Sequence, residues 1–459
     1  MPSTEGQSGG DAFDVGLLSP VTTGQDALVS DAEIAASMVE VEIALARASA
    51  AVGIAPSSAA DTIATALTGY RPDAAELARR ARDGGNPVIP LVAELRARVA
   101  EVDADAAGWV HRGATSQDII DSALMLIASR ALLTIDASLA DAADVLARLA
   151  ANHRGTVMAA RTLTQQSTPT TFGVMAAGWL LAVDDARDGL RRPLPAQLGG
   201  ASGTLASFVE LGGSADAAAL PARFASELGL AAQIAPWHTR RAPITGLGDA
   251  LVTTLDALGM IAATVATLAR TEIGELAEAG GEGRGGSSAM PQKQNPVLSV
   301  LIRSAAQRAP GLGAELHRSA ALAVDQRPDG AWHAEWPALR ELLRLALGAS
   351  ATAAELLAGL RVDAARMLVN LSASGPLLVA ERLSLVLGPR LGIARVHELV
   401  NRAAAGEDLA QLLAVEPGID DLDPLGLLQP GNYTGAVDAL IDAALAAHDA
   451  RPDRSASAE

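Results

Sequence analysis

The strongest candidates for chemistry lie in one glycine-rich segment, GGEGRGGSSAMPQKQNP, which spans residues 280–296. The segment holds two adjacent serines and Lys293, the one lysine among the 35 basic residues of the chain. Lysine is a compact point charge and arginine a wide planar fork, so a single retained lysine marks a candidate functional position. A long glycine-rich stretch between helices is typical of a binding loop or lid. A solvated linker is the alternative, and Met290 and Pro291 argue against it.

A second candidate site lies at the predicted start of a long helix, in HRGATSQDIIDSA, residues 111–123. Thr115 and Ser116 stand at this start, where free backbone N–H groups and the positive end of the helix dipole can bind a carboxylate. Ordinary capping of the helix by these hydroxyls, with Asp118 in the first turn, is the commoner alternative.

Further polar clusters fall at breaks between predicted helices: ARTLTQQSTPTTFG (160–173), APWHTRRAP (235–243) and DQRPDGAWHAEW (325–336). The first is rich in hydroxyls and amides, and the others contain His238 and His333. A lone histidine is more often structural than catalytic, so both roles stay open for these two residues.

Several function classes are disfavoured by what the sequence lacks. The chain has no cysteine, which rules out disulfides, thiolate metal sites and a cysteine nucleophile. No histidine–carboxylate pattern with metal-ligand spacing occurs, so we expect no metal. Gly281, Gly283 and Gly286 formally match G-x-G-x-x-G, but a predicted helix precedes them instead of the strand that a dinucleotide site requires. We therefore expect no cofactor.

Composition and charge narrow the range of partners. The 459 residues carry a net charge of −18, which disfavours nucleic acid and anionic membranes because both attract basic surfaces. We find neither a signal peptide nor an uninterrupted apolar run of about 18 residues, and we expect a cytoplasmic protein without a membrane span. Aromatic residues make up only 2% and alanine is abundant, which favours closely packed helices over sheets.

The elements that must position these clusters are predicted to be helices. Apolar residues recur at three- and four-residue spacing after Asp31, a predicted N-cap, and the first helix is expected to end before Gly53. Several later helices exceed 25 residues, a length typical of a bundle whose ends need covering by other subunits. The predicted helices span about 31–52, 73–82, 90–102, 116–153, 171–191, 245–276, 296 onwards and 334–360, with shorter helices after residue 361.

These elements predict an all-α protein with three helical domains. Residues 1–110 form an N-terminal helical domain, residues 111–360 a central long-helix bundle that contains the 280–296 loop, and residues 361–459 a small C-terminal helical domain. Asn295 and Pro296 are expected to cap the helix that follows the loop.

The segment GSSAMPQKQNP, residues 286–296, resembles the loop G-S-S-x-M-P-x-K-x-N-P of the fumarase/aspartase superfamily at every specified position. HRGATSQDIID and ARTLTQQSTPTTFG resemble two further segments of that superfamily in the same order, and the resemblance extends from about Leu17 to Tyr433. It implies an all-helical protomer of three domains and a homotetramer in which each active site is built from three subunits.

Within the superfamily, TSQDIID, GGNPVIPLV, PWHTRR and AWHAEW most resemble the bacterial 3-carboxy-cis,cis-muconate cycloisomerases. That resemblance implies lactonisation to 4-carboxymuconolactone in the protocatechuate branch of the β-ketoadipate pathway. The alternative is an adenylosuccinate-lyase-type or other succinyl β-elimination that releases fumarate or a related alkene. Trp332 and Trp336 stand where adenylosuccinate lyases carry a serine and a phosphate-binding arginine, which disfavours a nucleotide substrate.

The resemblance also assigns roles to residues. It implies that Ser287 transfers the proton through an aci-carboxylate intermediate, while Lys293 and Asn295 stabilise the developing charge. A small-molecule polycarboxylate substrate needs cationic and polar partners. The expected substrate-binding residues are Thr115, Ser116, Arg112, Asn86, Thr162, Gln165, His238, Arg240, Arg284, Ser288, Met290 and Arg327.

The sequence departs from the superfamily at Leu163, where many of its lyases carry the histidine of R-T-H. An amine or hydroxide leaves poorly without protonation, whereas a carboxylate, with a reference pKa of about 4, leaves without an acid. We therefore expect Leu163 to mark a leaving group that needs no acid, which suits a lactone-forming enzyme and is unfavourable for a fumarase or aspartase.

Overall fold

Helices make up most of the structure, as the composition predicts. The computed structural model describes residues 15–280, 284–286, 290, 293–373 and 375–451. In these ranges the paired strands form two short two-stranded ladders, and the remaining regular structure is helical. The predicted all-α class is confirmed.

The helices before residue 110 are α1 (Asp31–Ala51), α2 (Ser57–Leu67), α3 (Ala74–Gly84), α4 (Val88–Ala100) and α5 (Ala104–Ala107). The N-cap of α1 is Ser30 and not Asp31, because the Ser30 side chain accepts a hydrogen bond from the amide of Glu33. α4 begins before the predicted Pro90, because the side chain of Asn86 accepts a hydrogen bond from the Val88 amide and starts the helix there.

Long helices form the middle of the chain, as predicted. The helices of this part are α6 (Ser116–Asn152), α7 (Phe172–Leu190), α8 (Ala206–Gly212), α9 (Ser214–Leu228), α10 (Ala242–Leu268), α11 (Val297–Ala321) and α12 (Gly330–Ala358). The prediction for α10 was wrong at its end, which falls eight residues before Leu276. The chain turns at Gly274, whose φ of +65° favours glycine, and the Glu275 amide donates to the Leu268 carbonyl.

Shorter helices follow residue 361, again as predicted. They are α13 (Ala364–Ala373), α14 (Ala380–Leu391), α15 (Ile393–Ala404), α16 (Leu409–Ala414), α17 (Pro424–Leu428) and α18 (Val437–Asp449). Helices α14 to α17 share a core of buried aliphatic side chains: Leu383, Leu387, Val396, Leu399, Leu409, Leu413, Ile419 and Leu427.

The strands were not predicted. β1 (Val157–Thr162) and β2 (Gln165–Thr171) form an antiparallel hairpin, and β3 (Leu276–Ala277) pairs with β4 (Arg361–Val362). The hairpin occupies the polar segment that the sequence placed between two long helices. Most residues of that segment therefore lie on two paired strands, and Leu163 and Thr164 form the turn between them.

The described residues form two compact units, each built from three stretches of the chain. Unit 1 takes its residues from Met1–Ser138, Arg187–Asp256 and Ser304–Thr352, and unit 2 from Leu139–Ala186, Ala257–Arg303 and Ala353–Glu459. In unit 1, α1 packs against α2 and α9, and α2 against α4. In unit 2, α13 packs against β1. The division of the sequence into three domains stays a prediction.

Two helices, α6 and α10, are long and apolar enough to cross a membrane by length and composition. However, 61% of the apolar window of α6 and 50% of that of α10 are buried inside the protein. Apolar residues that face neighbouring helices are what a bundle core requires, so helix packing is sufficient to explain both stretches.

Candidate active site

The start of α6 is held by the carboxylate of Asp118, which is fully buried in the first turn. Its Oδ2 accepts hydrogen bonds from the amides of Thr115 (3.0 Å) and Gly200 (2.9 Å), and its Oδ1 accepts one from the amide of Gly199 (2.8 Å). Thr115 itself is buried and Ser116 is half-buried. Asp118 therefore fixes the backbone beside the Thr-Ser pair that we expect to bind a carboxylate.

His238 lies against the same helix start. Its Nε2 is 2.8 Å from Asp118 Oδ1, and its carbonyl accepts a hydrogen bond from Gln117 Nε2 at 2.9 Å. Only 3% of His238 is exposed. Its Nδ1 is buried without a hydrogen-bond partner in the ranges that the structure describes. The structure thus places His238 at the predicted substrate segment, where its Nε2 contacts Asp118 and its Nδ1 is buried and unpaired among the described atoms.

Arg241, the neighbour of the predicted Arg240, forms a buried charge cluster that the sequence did not predict. Its fully buried guanidinium pairs with Asp121 of α6 at 2.7 Å and with Glu335 of α12 at 2.6 Å. Burial acts to lower the pKa of Arg241, but the two carboxylates outweigh it and raise the pKa. Burial raises the pKa of Glu335, and the hydrogen bonds from Arg241 offset this only in part. The cluster joins the start of α6 to the start of α12.

Two tryptophans complete this part of unit 1. The rings of Trp332 and Trp336 pack edge to face with centroids 4.6 Å apart, and the Trp332 indole N–H donates to Asp121 Oδ1 at 3.0 Å. His333 is exposed, and its Nε2 lies 2.9 Å from the carbonyl of Gly85. Neither indole supplies the positive charge that a phosphate group needs.

The other predicted binding residues of unit 1 have different surroundings. Asn86 is buried, and its side chain is engaged by the backbone of its own turn. Arg112 is exposed and stacks over the Trp109 ring at 4.3 Å. Arg240 is exposed, while Arg327 is half-buried, with an Nε that has no partner among the described atoms.

The hairpin of unit 2 carries Thr162 and Gln165 at its tip. These two residues are register partners, and the two-residue turn between them is Leu163–Thr164. Leu163 has a φ of +47° and Thr164 a φ of +70°, a conformation that non-glycine residues rarely adopt. The side chain of Leu163 is 95% exposed. The hairpin therefore presents a strained apolar tip between two polar side chains.

Arg161 anchors this hairpin through a fork-shaped ion pair. Its guanidinium donates to both carboxylate oxygens of Glu275, at 2.9 and 2.6 Å. Glu275 is fully buried and also accepts a hydrogen bond from Asn370 Nδ2 at 2.8 Å. The charge of Arg161 is thus committed to Glu275, and the pair holds the tip of the hairpin in place.

The two arms of the 280–296 loop meet close to Lys293. The amide of Asn295 donates to the Gly285 carbonyl at 2.8 Å, and Gly286 and Gln294 form an antiparallel bridge. The amide of Lys293 donates to the Met290 carbonyl at 2.9 Å, and the Lys293 side chain is exposed.

The other predicted binding residues of the loop are Arg284, Met290 and Ser288, and the structure describes two of them. Arg284 pairs with Glu355 of α12 at 2.5 Å, and Met290 is 44% exposed. Ser287 and Ser288 lie outside the described residues.

The cap of α11 is another departure from the sequence prediction. The carboxylate of Glu278 accepts hydrogen bonds from the amides of Leu298 (3.0 Å) and Ser299 (2.8 Å) and from the Ser299 hydroxyl (2.7 Å). We expected Asn295 and Pro296 to supply the cap. A carboxylate that approaches from the other end of the loop satisfies the same amides with a full negative charge, which suits the positive end of a helix.

The candidates therefore fall into two groups. Unit 1 gathers Thr115, Ser116 and His238 around Asp118. Unit 2 anchors the hairpin and the loop on one short stretch, with Glu275 holding the hairpin and Glu278 holding the helix after the loop. Hydroxyls, amides and cations in these groups can bind carboxylates and stabilise a dianionic intermediate.

Comparison with known proteins identifies relatives among lyases and cycloisomerases. The sequence model of a lyase family matches residues 23–311. Nitrosuccinate lyase of Streptomyces davaonensis is 48% identical over 97% of each chain. 3-Carboxy-cis,cis-muconate cycloisomerase of Bradyrhizobium diazoefficiens is 40% identical over 93% of this chain and 96% of its own. The crystal structure of the 3-carboxy-cis,cis-muconate lactonizing enzyme from Pseudomonas putida superposes with a TM-score of 0.87 at 35% identity, and the match covers 95% and 99% of the two chains.

The chain belongs to this lyase family, which is part of the fumarase/aspartase superfamily. The resemblance recognised in the loop is thereby confirmed. The roles of individual residues stay predictions, as do the homotetramer and the cytoplasmic location.

Proposed function

We propose that this enzyme makes or breaks a bond between a carbon of a polycarboxylate and a weakly basic anion, with proton transfer at the carbon next to a carboxylate. The observation that carries the proposal is Leu163 at the tip of the hairpin. An alkyl side chain cannot protonate a leaving group. A reaction that proceeds at this site without such an acid needs an anion that is stable in water at neutral pH.

The conformation of the turn supports a role for Leu163 beyond filling space. A leucine at positive φ and almost fully exposed costs roughly 1–2 kcal/mol relative to a glycine. Arg161 and Glu275 hold the hairpin against that cost. An exposed apolar side chain beside Thr162 and Gln165 can exclude water from the departing or attacking anion while the polar neighbours bind carboxylates.

The first candidate reaction is elimination from nitrosuccinate. It is supported by the 48% sequence identity between this chain and nitrosuccinate lyase. Ser287 takes the proton from the methylene next to one carboxylate, Lys293 and Asn295 stabilise the resulting aci-carboxylate, and the carbon–nitrogen bond then breaks. The electron pair of that bond leaves with nitrite, and the carbon skeleton becomes fumarate. Nitrite is the anion of an acid that is ionised at neutral pH, so its departure needs no proton donor.

The second candidate is lactonisation of 3-carboxy-cis,cis-muconate. It is supported by the 40% sequence identity to the Bradyrhizobium cycloisomerase and by the TM-score of 0.87 with the Pseudomonas putida lactonizing enzyme. A substrate carboxylate attacks the conjugated double bond to form a carbon–oxygen bond. Ser287 gives a proton to the carbon next to another carboxylate, and the product is 4-carboxymuconolactone. The attacking group is again a weakly basic anion. A nucleotide substrate has less support, because Trp332 and Trp336 occupy the place of its phosphate ligands.

Both reactions use the same set of groups, and we propose the same assembly for them: a homotetramer in which three subunits contribute to each active site. Arg161 is occupied by Glu275, so Lys293, Arg112, Arg240 and Arg327 are the cations proposed for the substrate carboxylates. No cofactor is needed for either reaction, because serine and the substrate supply all the protons and electrons.

The purified enzyme is expected to release nitrite and fumarate in equal amounts from nitrosuccinate. The measurement is colorimetric nitrite together with the ultraviolet absorbance of fumarate, run beside a second cuvette in which 3-carboxy-cis,cis-muconate loses its diene absorbance. Turnover only in the second cuvette would select the lactonising reaction. Absence of turnover in both would overturn the proposal, while leaving the family membership unaffected.

A further inference from the structure

We propose that Glu278 is a positioning residue that joins the two ends of the 280–296 loop and thereby fixes the position of Lys293. Glu278 precedes the loop, but its carboxylate binds the first turn of α11, which follows the loop. The carboxylate accepts the amides of Leu298 and Ser299 and the Ser299 hydroxyl, all within 3.0 Å. One side chain thereby joins the two ends of the loop.

Glu278 is itself held in place from outside the loop. Ala277 is the register partner of Arg361 in the β3–β4 ladder, and Arg361 Nη2 donates to the Glu278 carbonyl at 3.0 Å. Ser299 is fully buried, so its hydroxyl contact with Glu278 is shielded from solvent. The base of the loop is therefore attached to a fixed ladder on one side and to a buried helix turn on the other.

A second set of backbone contacts joins the two arms of the loop between its base and Lys293. The Asn295 amide donates to the Gly285 carbonyl, and Gly286 pairs with Gln294. Lys293 immediately precedes Gln294 in the chain. A change in the position of the first turn of α11 is carried to Lys293 through only a few residues. Reacting groups must be held within a fraction of an ångström for full activity, so the cap contact sets the position of Lys293.

Substitution of Glu278 should have different effects if the residue only caps α11 and if it also positions Lys293. Loss of an N-cap lowers the stability of the helix but leaves a distant catalytic step unchanged. Loss of a positioning residue also makes the backbone at Lys293 easier to reach and slows the chemical step. The single lysine of the chain makes access to this backbone measurable, because a lysine-specific protease can cut only after Lys293.

The test compares Glu278→Ala and Glu278→Gln with the wild type, using the intact assembly. Glu272→Gln is the matched control, since Glu272 lies in the same segment with an exposed side chain. We expect Glu278→Ala to be cut after Lys293 roughly tenfold faster and to lose roughly 10- to 100-fold in kcat with a smaller change in KM. Glu278→Gln keeps the shape of the side chain without its charge, so it is expected to recover part of both losses.

Two outcomes would overturn the proposal. One is an unchanged cleavage rate in Glu278→Ala that is still folded by circular dichroism. The other is faster cleavage with an unchanged kcat. The kcat measurement rests on the proposed function, whereas the cleavage measurement needs no substrate. Failure of the cleavage prediction therefore counts against Glu278 alone, and absence of turnover in the wild type counts against the proposed function alone.

Discussion

Replacement of Ser287 by alanine is expected to lower kcat by roughly 10²- to 10⁴-fold, the usual contribution of a proton-transfer residue. The superfamily resemblance assigns the proton to Ser287, and a methyl group can neither accept nor donate one. The rate of nitrite release, or of diene loss with the second substrate, gives the measurement. KM should change little, because the hydroxyl contributes mainly to the chemical step.

The matched control for this change is the adjacent serine. Ser288→Ala removes a hydroxyl from the same loop, and we expect at most about a tenfold loss, the value of one ordinary hydrogen bond. Equal losses in the two variants would contradict a special role for Ser287. A wild-type rate in Ser287→Ala would remove the residue from the mechanism.

Arg241→Met is expected to lower the free energy of unfolding by about 3–5 kcal/mol, the cost of breaking a buried ion pair by removal of one partner. The substitution keeps much of the side-chain volume but leaves Asp121 and Glu335 buried without their counter-ion. Both carboxylates now bond to the guanidinium within 3.1 Å. Urea unfolding of the two proteins measures the difference.

Arg240→Met provides the comparison, because Arg240 is the exposed neighbour of Arg241. Surface substitutions usually change stability by less than about 0.5 kcal/mol. Adding Asp121→Asn and Glu335→Gln to Arg241→Met removes the unpaired charges and should restore part of the loss. Equal stability of Arg240→Met and Arg241→Met would show that the charge cluster contributes nothing to the fold.

The long helices were predictable because apolar spacing is a local signal. The start of α6 at Ser116 and the length of α12 follow from it directly. The β1–β2 hairpin was missed because its turn, Leu163–Thr164, lacks the Asn-Gly or Gly residues that identify such turns. Tertiary contacts, among them the Arg161–Glu275 pair, impose the turn instead, and a sequence window does not contain them.

For the candidate site, too, the sequence revealed local motifs but not contacts between residues that are distant in sequence. The loop could be found from residue types alone, since Lys293 and its neighbours form a dense motif. Asp118, Arg241 and Glu278 were not selected, because each acts through a partner that is distant in sequence. The two aspartates in the apolar run SQDIIDSALMLI were the available signal for a buried charge cluster. For Glu278 we find no comparable signal in the sequence.

Under the proposed function, Leu163 distinguishes this chain from lyases that expel strongly basic groups. Elimination of ammonia or hydroxide requires an acid near the leaving group, and the hairpin tip supplies none. Elimination of nitrite and closure of a lactone share the feature that the anion is stable in water. The two candidate reactions thus differ in substrate, but neither needs a proton donor at the position of Leu163.

The most direct test of this central claim is a leaving-group series on one carbon skeleton. Fumarate formation is measured for wild type and Leu163→His with nitrosuccinate, aspartate and malate. We predict fumarate from nitrosuccinate, rates with aspartate and malate lower by roughly 10²- to 10⁴-fold or more, and no gain with nitrosuccinate in Leu163→His. Comparable wild-type rates with aspartate or malate, or a large gain from the histidine with nitrosuccinate, would contradict the claim that the leaving group needs no acid.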